Sequence, residues 1–236
     1  MKNLIYLSLF IVSISSSFAQ NNSSTLKING SAIISVKPTQ TVVTFNISEI
    51  RMSYSESIAK LTERVDLLSK SLLKLGFNTT DITTSNFDIR QNIIYNRGQQ
   101  KDSGYVTSQT LQVVFEQSKE KLLSVLNNTA NSRANSSISI SFQLDNESKS
   151  ILRDQLIVLA VKDARNKADL IADASLYKVT GIKEIQYGMN NTIAYDKSAM
   201  YRTASMQLED VSISNFEAAN LSFNENVYIE YYIENK

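Results

Sequence analysis

The chain has 236 residues, 24 of them basic and 23 acidic, and contains neither histidine nor cysteine. Those two absences exclude Ser-His-Asp and Cys-His nucleophilic systems, the commonest general base, ordinary zinc and copper sites and any disulfide framework. Once Lys2 is set aside the charges balance at 23 each, so the chain exerts no global pull on nucleic acid or anionic lipid.

The first twenty residues, MKNLIYLSLFIVSISSSFAQ, read as a secretory signal peptide over residues 1–19. Lys2 is the basic region, Leu4 to Val12 the short apolar run, and Ser17 and Ala19 the small residues before a cut at Gln20. The apolar run is too short to span a bilayer, and no cysteine follows to carry a lipid anchor. The expectation is an exported, periplasmic chain with no integral membrane segment, a secreted or outer-surface location being the variant of that reading. Residues 20–24 form a polar leader, and residues 25–236 read as one domain.

Leu26, Ile28, Ile34 and Val36, then Val43, Phe45 and Ile47, give two strands joined by a turn at Lys37-Pro38-Thr39-Gln40. From Ser53 to Leu75 the spacing becomes helical, with Ile58, Leu61, Val65, Leu68 and Leu72 on one face and Gly76 as the stop. Asp81 to Ile94 reads as a strand, Arg97 to Ser103 as a polar hairpin loop, and Tyr105 to Phe115 as the partner strand. Ser118 caps a shorter helix to Ala130. Ile138, Ile140, Phe142 and Leu144 alternate as a strand. A long helix follows from about Asn146 to Leu176, then a strand from Lys178 to Tyr187, a polar arm over about 189–222 and a closing strand from Asn226 to Ile233. The order β-β-α-β-β-α-β-α-β-arm-β predicts an α+β fold of mostly antiparallel sheets packed against long helices.

Several of these stretches together, in order, resemble the SIMPL-domain family of bacterial periplasmic proteins. They are Ile28-Asn29-Gly30 leading to Val36-Lys37-Pro38, Gly76-Phe77 with Asp81-Ile82-Thr83-Thr84 and Phe87, Gly104-Tyr105, and Ala160, Ala164, Lys167-Ala168, Ile171-Ala172. The resemblance implies a two-layer α+β fold, export to the periplasm of a Gram-negative bacterium, ring assembly in some members and a stress-protective or immunogenic surface role in others. It supplies no catalytic residue set. Two departures stand out: Thr39 replaces the aspartate that usually follows the proline, and the arm lacks the prolines often found there.

The long helix carries the most regular pattern, AVKDARNKADLIADAS. A helical wheel puts Ala160, Ala164, Ala168, Ile157 and Ile171 on one side, flanked by Leu152 and Leu156, with Lys162, Arg165, Asn166, Asp169 and Asp173 opposite. Small residues there predict close approach to a sheet or second helix. Lys167 falls inside the apolar arc, where its stem can lie along apolar surface while its ammonium pairs with Asp163, one turn earlier, or with a strand-end carbonyl. The alternatives for Lys167 are a subunit contact and a neutral catalytic base.

Asp81 to Thr84 reads as a turn, lacking the ligand spacing of a calcium loop. The carboxylate pairs Asp88/Asp102 and Glu209/Asp210 carry no spacing that singles them out, and the six glycines form no phosphate loop. Met189, Tyr195, Met200, Tyr201 and Met206 make the arm a candidate interface, with an oxidant sink as the lesser reading. The expectation is a non-enzymatic protein without cofactor that forms a homo-oligomer. The alternative is a small-ligand or glycan-binding protein that uses Tyr95, Tyr105 and the tyrosine-rich last strand as a platform.

Overall fold

The computed structural model describes residues 24–96, 98–188 and 218–236. Ten elements follow in chain order: β1 (Thr25–Val36), β2 (Gln40–Arg51), α1 (Tyr54–Lys74), β3 (Ile82–Asn96), β4 (Gln99–Glu116), α2 (Lys119–Asn131), β5 (Ser137–Gln143), α3 (Asn146–Ala174), β6 (Tyr177–Gln186) and β7 (Leu221–Asn235). They build two antiparallel sheets, β1-β7-β6 and β3-β4-β2-β5, each with its own apolar core. The α+β reading and the antiparallel pairing are those of the structure. Among the described residues no helix is long and apolar enough to cross a membrane.

In the four-stranded sheet, Val43, Phe45 and Ile47 of β2 and Leu111, Val113 and Phe115 of β4 point to one face and are buried. Leu61, Leu68 and Leu72 of α1 and Leu122 and Val125 of α2 close over them. The opposite face is polar and laced by side-chain hydrogen bonds, such as Thr110 to Asn46 at 2.8 Å and Gln112 to Thr44 at 3.2 Å. That division follows from the two-residue alternation of a half-buried strand. Gly76 ends α1 at a φ of +87°, a left-handed position that turns the chain so that Phe77 folds back into the core.

In the three-stranded sheet, Ile28 and Ala32 of β1 and Phe223, Val227, Ile229 and Tyr231 of β7 meet α3. Asp145 caps α3 by accepting the Ser148 backbone N–H at 2.8 Å, so the cap lies one residue before the triplet expected from the sequence. The helix ends at Ala174, and Leu176 adopts a φ of +63° beyond it.

Four expectations need correction. β1 and β2 belong to different sheets rather than forming a hairpin, because Lys37-Pro38-Thr39 supplies no left-handed residue pair for a tight reversal and Pro38 removes a donor. The stretch 97–103 read as loop is largely strand, since β3 and β4 run on as a ribbon to Asn96 and Gln99. β7 begins at Leu221, inside the expected arm, and its inward alternation starts at Phe223. Ile171 is 44% exposed. The buried residues of α3 are Leu152, Leu156, Ala160, Ala164, Ala168 and Ala172, every fourth position, so the contact stripe winds around the helix as it crosses a twisted sheet.

The two sheets meet at Thr39. Its hydroxyl donates to the Asp145 carboxylate and accepts the Asp145 N–H, both at 2.8 Å. Its own N–H donates to the Gln143 carbonyl at 3.1 Å, and its carbonyl accepts from Gln117 N–H at 2.8 Å. The Ser148 and Thr39 donors hold the Asp145 carboxyl far below the usual carboxylate range.

Candidate functional site

Gly30, Ala160, Ala164, Lys167 and Ala168, scattered in sequence, come together where α3 crosses β1. A Cβ on Gly30 would stand 2.1 Å from the Ala160 carbonyl oxygen and 2.6 Å from the Ala164 Cβ. Glycine on the strand and alanine on the helix are therefore one adaptation, a backbone-to-backbone approach that no larger pair allows.

The close approach places the charged edge of α3 over the open edge of β1. The Asp163 carboxylate accepts the Ser31 backbone N–H at 2.8 Å, and the Lys167 ammonium donates to the Asn29 carbonyl at 3.2 Å and to Asp163 at 2.5 Å. Two backbone groups of an edge strand, which would otherwise invite another chain, are thus occupied. The Lys167 hydrogen bond first, and the Ser31 N–H second, hold the Asp163 carboxyl below its ordinary value.

The remaining motif residues are dispersed. Pro38 leads into the Thr39 junction described above. Asp81 accepts the Asn78 backbone N–H at 2.8 Å, closing a turn after Gly76, and Thr84 accepts from the Gln109 side chain at 3.1 Å. Gly104 has a φ of +87°, and a Cβ there would lie 2.2 Å from the Arg51 carbonyl oxygen. Next to it, Tyr105 meets Tyr54 edge to face with ring centroids 5.5 Å apart. Tyr95 is exposed on the ribbon, whereas Tyr231 is buried in the other sheet. These tyrosines do not share one platform. Met189, Tyr195, Met200, Tyr201 and Met206, like residues 1–19 read as a signal peptide, lie outside the described residues.

A second feature was not anticipated. Between the first turns of α3 and the start of β7 lies a half-enclosed cleft of about 270 Å³, lined by Lys149, Leu152, Arg153, Leu156, Phe223 and Glu225 among others. Glu225 is only 5% exposed. Its carboxylate accepts the Tyr187 hydroxyl at 3.5 Å and the Asn226 N–H at 3.2 Å. The Tyr187 side chain first, and the Glu225 charge behind it, raise the Arg153 guanidinium above its ordinary value. A signal for this site was present in the sequence. Extending the alternation of the last strand backward through Val227 and Phe223 puts an acid, Glu225, at an inward position.

One solved structure, the de novo designed protein Foldit4, aligns with a TM-score of 0.21 and 7% identity over 45% of this chain and 99% of its own, too slight a likeness to bear on the fold. The uncharacterized protein YggE of Edwardsiella ictaluri (strain 93-146) is 20% identical over 202 residues, spanning 85% of this chain and 83% of the relative. The family model SIMPL, described as a protein of unknown function (DUF541), matches residues 26–231, from the first residues of β1 almost to the end of β7. That span takes in both sheets, the Gly30 crossing and the cleft, and the chain belongs to the SIMPL family.

Proposed function

We propose that this SIMPL protein is an exported, non-enzymatic protein that assembles with copies of itself and serves a stress-protective or scaffolding role in the periplasm. The observation that carries assembly is the β3–β4 ribbon. Beyond Tyr105, β4 has lost its β2 neighbour and pairs with β3 alone, from Ile93 opposite Asp102 to Asn96 opposite Gln99. A two-stranded ribbon is marginal in water by itself, and this one presents Ile94 at 44% and Tyr95 at 75% exposure. Docking those side chains removes apolar surface from water and stiffens the ribbon.

A second copy offers a fitting acceptor. At the β6 edge of the three-stranded sheet, Ile182 and Ile185 stand opposite Tyr231 and Ile229 on the core side, yet remain half exposed because α3 leans toward β1 and β7. Donor and acceptor are different patches of one molecule, so the contact is head-to-tail and closes into a ring where the rotation permits. Export rests on the signal-peptide pattern, and the stress-protective role on the family resemblance. The absence of histidine and cysteine favours a role without acid-base or thiol catalysis.

Size-exclusion chromatography with light scattering on the mature chain tests assembly. The native protein is expected as an oligomer, and the Ile94→Lys/Tyr95→Lys double variant as a monomer with unchanged circular dichroism. A monomeric native protein would end the assembly reading.

A further inference from the structure

Neither the proposed assembly nor the α3–β1 crossing uses the cleft beside Glu225. Ionised carboxylates offer about four acceptor positions, and Glu225 fills two with long contacts, at 3.2 and 3.5 Å. Among the described residues it forms no ion pair within 4.0 Å, although Lys149 and Arg153 line the same cleft. Burying a carboxylate without a close cation is costly unless something else supplies the donors. Tyr187 donates to Glu225, and Arg153 lines the same cleft without pairing with that carboxylate, so positive and negative poles are held apart rather than collapsed onto each other.

We propose that this cleft binds a small zwitterion, an α-amino acid with a short aliphatic side chain. The ammonium group meets Glu225, whose two open acceptor positions take two of its three donors. The carboxylate meets Lys149 and Arg153, one helical turn apart on the same side of α3, and the planar Arg153 guanidinium suits it in bidentate fashion. The aliphatic group lies on Leu152, Leu156 and Phe223, each less than a tenth exposed. A volume of about 270 Å³ falls just below the roughly 300–1,000 Å³ of sites for drug-sized molecules, which suits a ligand of this size. The site does not depend on assembly.

Isothermal titration calorimetry on the mature chain, with three probes, separates the poles. L-Leucine is expected to bind saturably. N-acetyl-L-leucine, which lacks the ammonium, and 3-methylbutylamine, which lacks the carboxylate, are each expected to bind at least tenfold more weakly. Glu225→Gln should weaken leucine tenfold or more, and Arg153→Met, at the exposed rim, should do the same without disturbing the buried wall. Absence of a saturable leucine signal up to about 10 mM overturns the proposal, as does equal binding of leucine and its N-acetyl derivative.

Discussion

α1 and α2 press leucine and valine side chains onto the four-stranded sheet, whereas α3 offers the three-stranded sheet a row of alanines. In the first half, large residues interdigitate from both layers: Leu61, Leu68 and Leu72 face Phe45, Ile47 and Val113. In the second, beyond Leu152 and Leu156 in the first turns of α3, bulk comes from the sheet, through Phe223, Ile229 and Tyr231, and the helix contributes Ala160, Ala164 and Ala168. The same chain thus buries apolar area in two ways, by side-chain interlocking and by close approach of backbones. Interlocking tolerates exchange of side chains of like volume. Close approach tolerates no added atom, but fixes the helix so tightly over β1 that Asp163 and Lys167 reach its edge.

The sharpest break of that comparison is Gly30→Val. Its Cβ would overlap the Ala160 carbonyl oxygen, a backbone atom that cannot rotate away. The cost should exceed about 3 kcal/mol, above the usual range for overpacking. Chemical denaturation should report a protein that is largely unfolded or lacks a packed α3. If Gly30→Val unfolds at the native denaturant midpoint, the close-approach account of this half is wrong. The complementary error in the other half is Leu68→Ala, at a fully buried position of α1. Here the expected loss is about 2–5 kcal/mol, from lost burial and the cavity left behind. The denaturation slope should hold steady while the midpoint falls. An effect on Leu68→Ala below 1 kcal/mol, roughly that of an exposed site, would remove the distinction between the two packings.

Much of this was legible from residue pattern, and what escaped has physical reasons. Among the described residues, seven strands and three helices follow from period-two and helical spacings, because most of these elements hide one face. The sheet partners did not follow, since pairing of β1 with the distant β7 is a long-range choice that local alternation leaves open. The wheel misplaced Ile171 because a fixed 100° face presumes a straight seam, while the buried stripe of α3 follows a twisted sheet. Glu225 was hidden by a polarity bias: an acid beside a polar arm reads as loop, although Phe223, Val227 and Ile229 around it continue the inward alternation. Lys167 was readable in part. Its partner Asp163 comes from i,i+4 spacing, but the Asn29 carbonyl is supplied by a strand 138 residues away.

Lys167→Met gives the smallest effect and the finest test of what close approach achieves. The pair is partly exposed, with side chains 44% and 33% accessible, so solvent screens it and about 0.5 kcal/mol is the expected loss at neutral pH. The pH dependence is more telling than the size. Asp163 is held below its unfolded value, so its contribution is present above about pH 4 and fades as the carboxylate is protonated on the way down. Lys167→Met removes the largest cause of that depression while the Ser31 N–H remains. The native protein and the variant should therefore differ at pH 7 and converge as pH falls below 4. Urea unfolding across that range checks this. A gap that persists unchanged at pH 2 would mean that Lys167 stabilises α3 through the Asn29 carbonyl, and that the Asp163 pairing is incidental. Exposing the Asn29 carbonyl should also leave β1 open to pairing with another chain, so the variant should aggregate faster than Arg165→Met, which lies on the same helix and, among the described residues, cuts the Asp169 pair and a cation–π contact with Tyr231. Equal aggregation of the two variants would dissociate the close approach of α3 from protection of the edge.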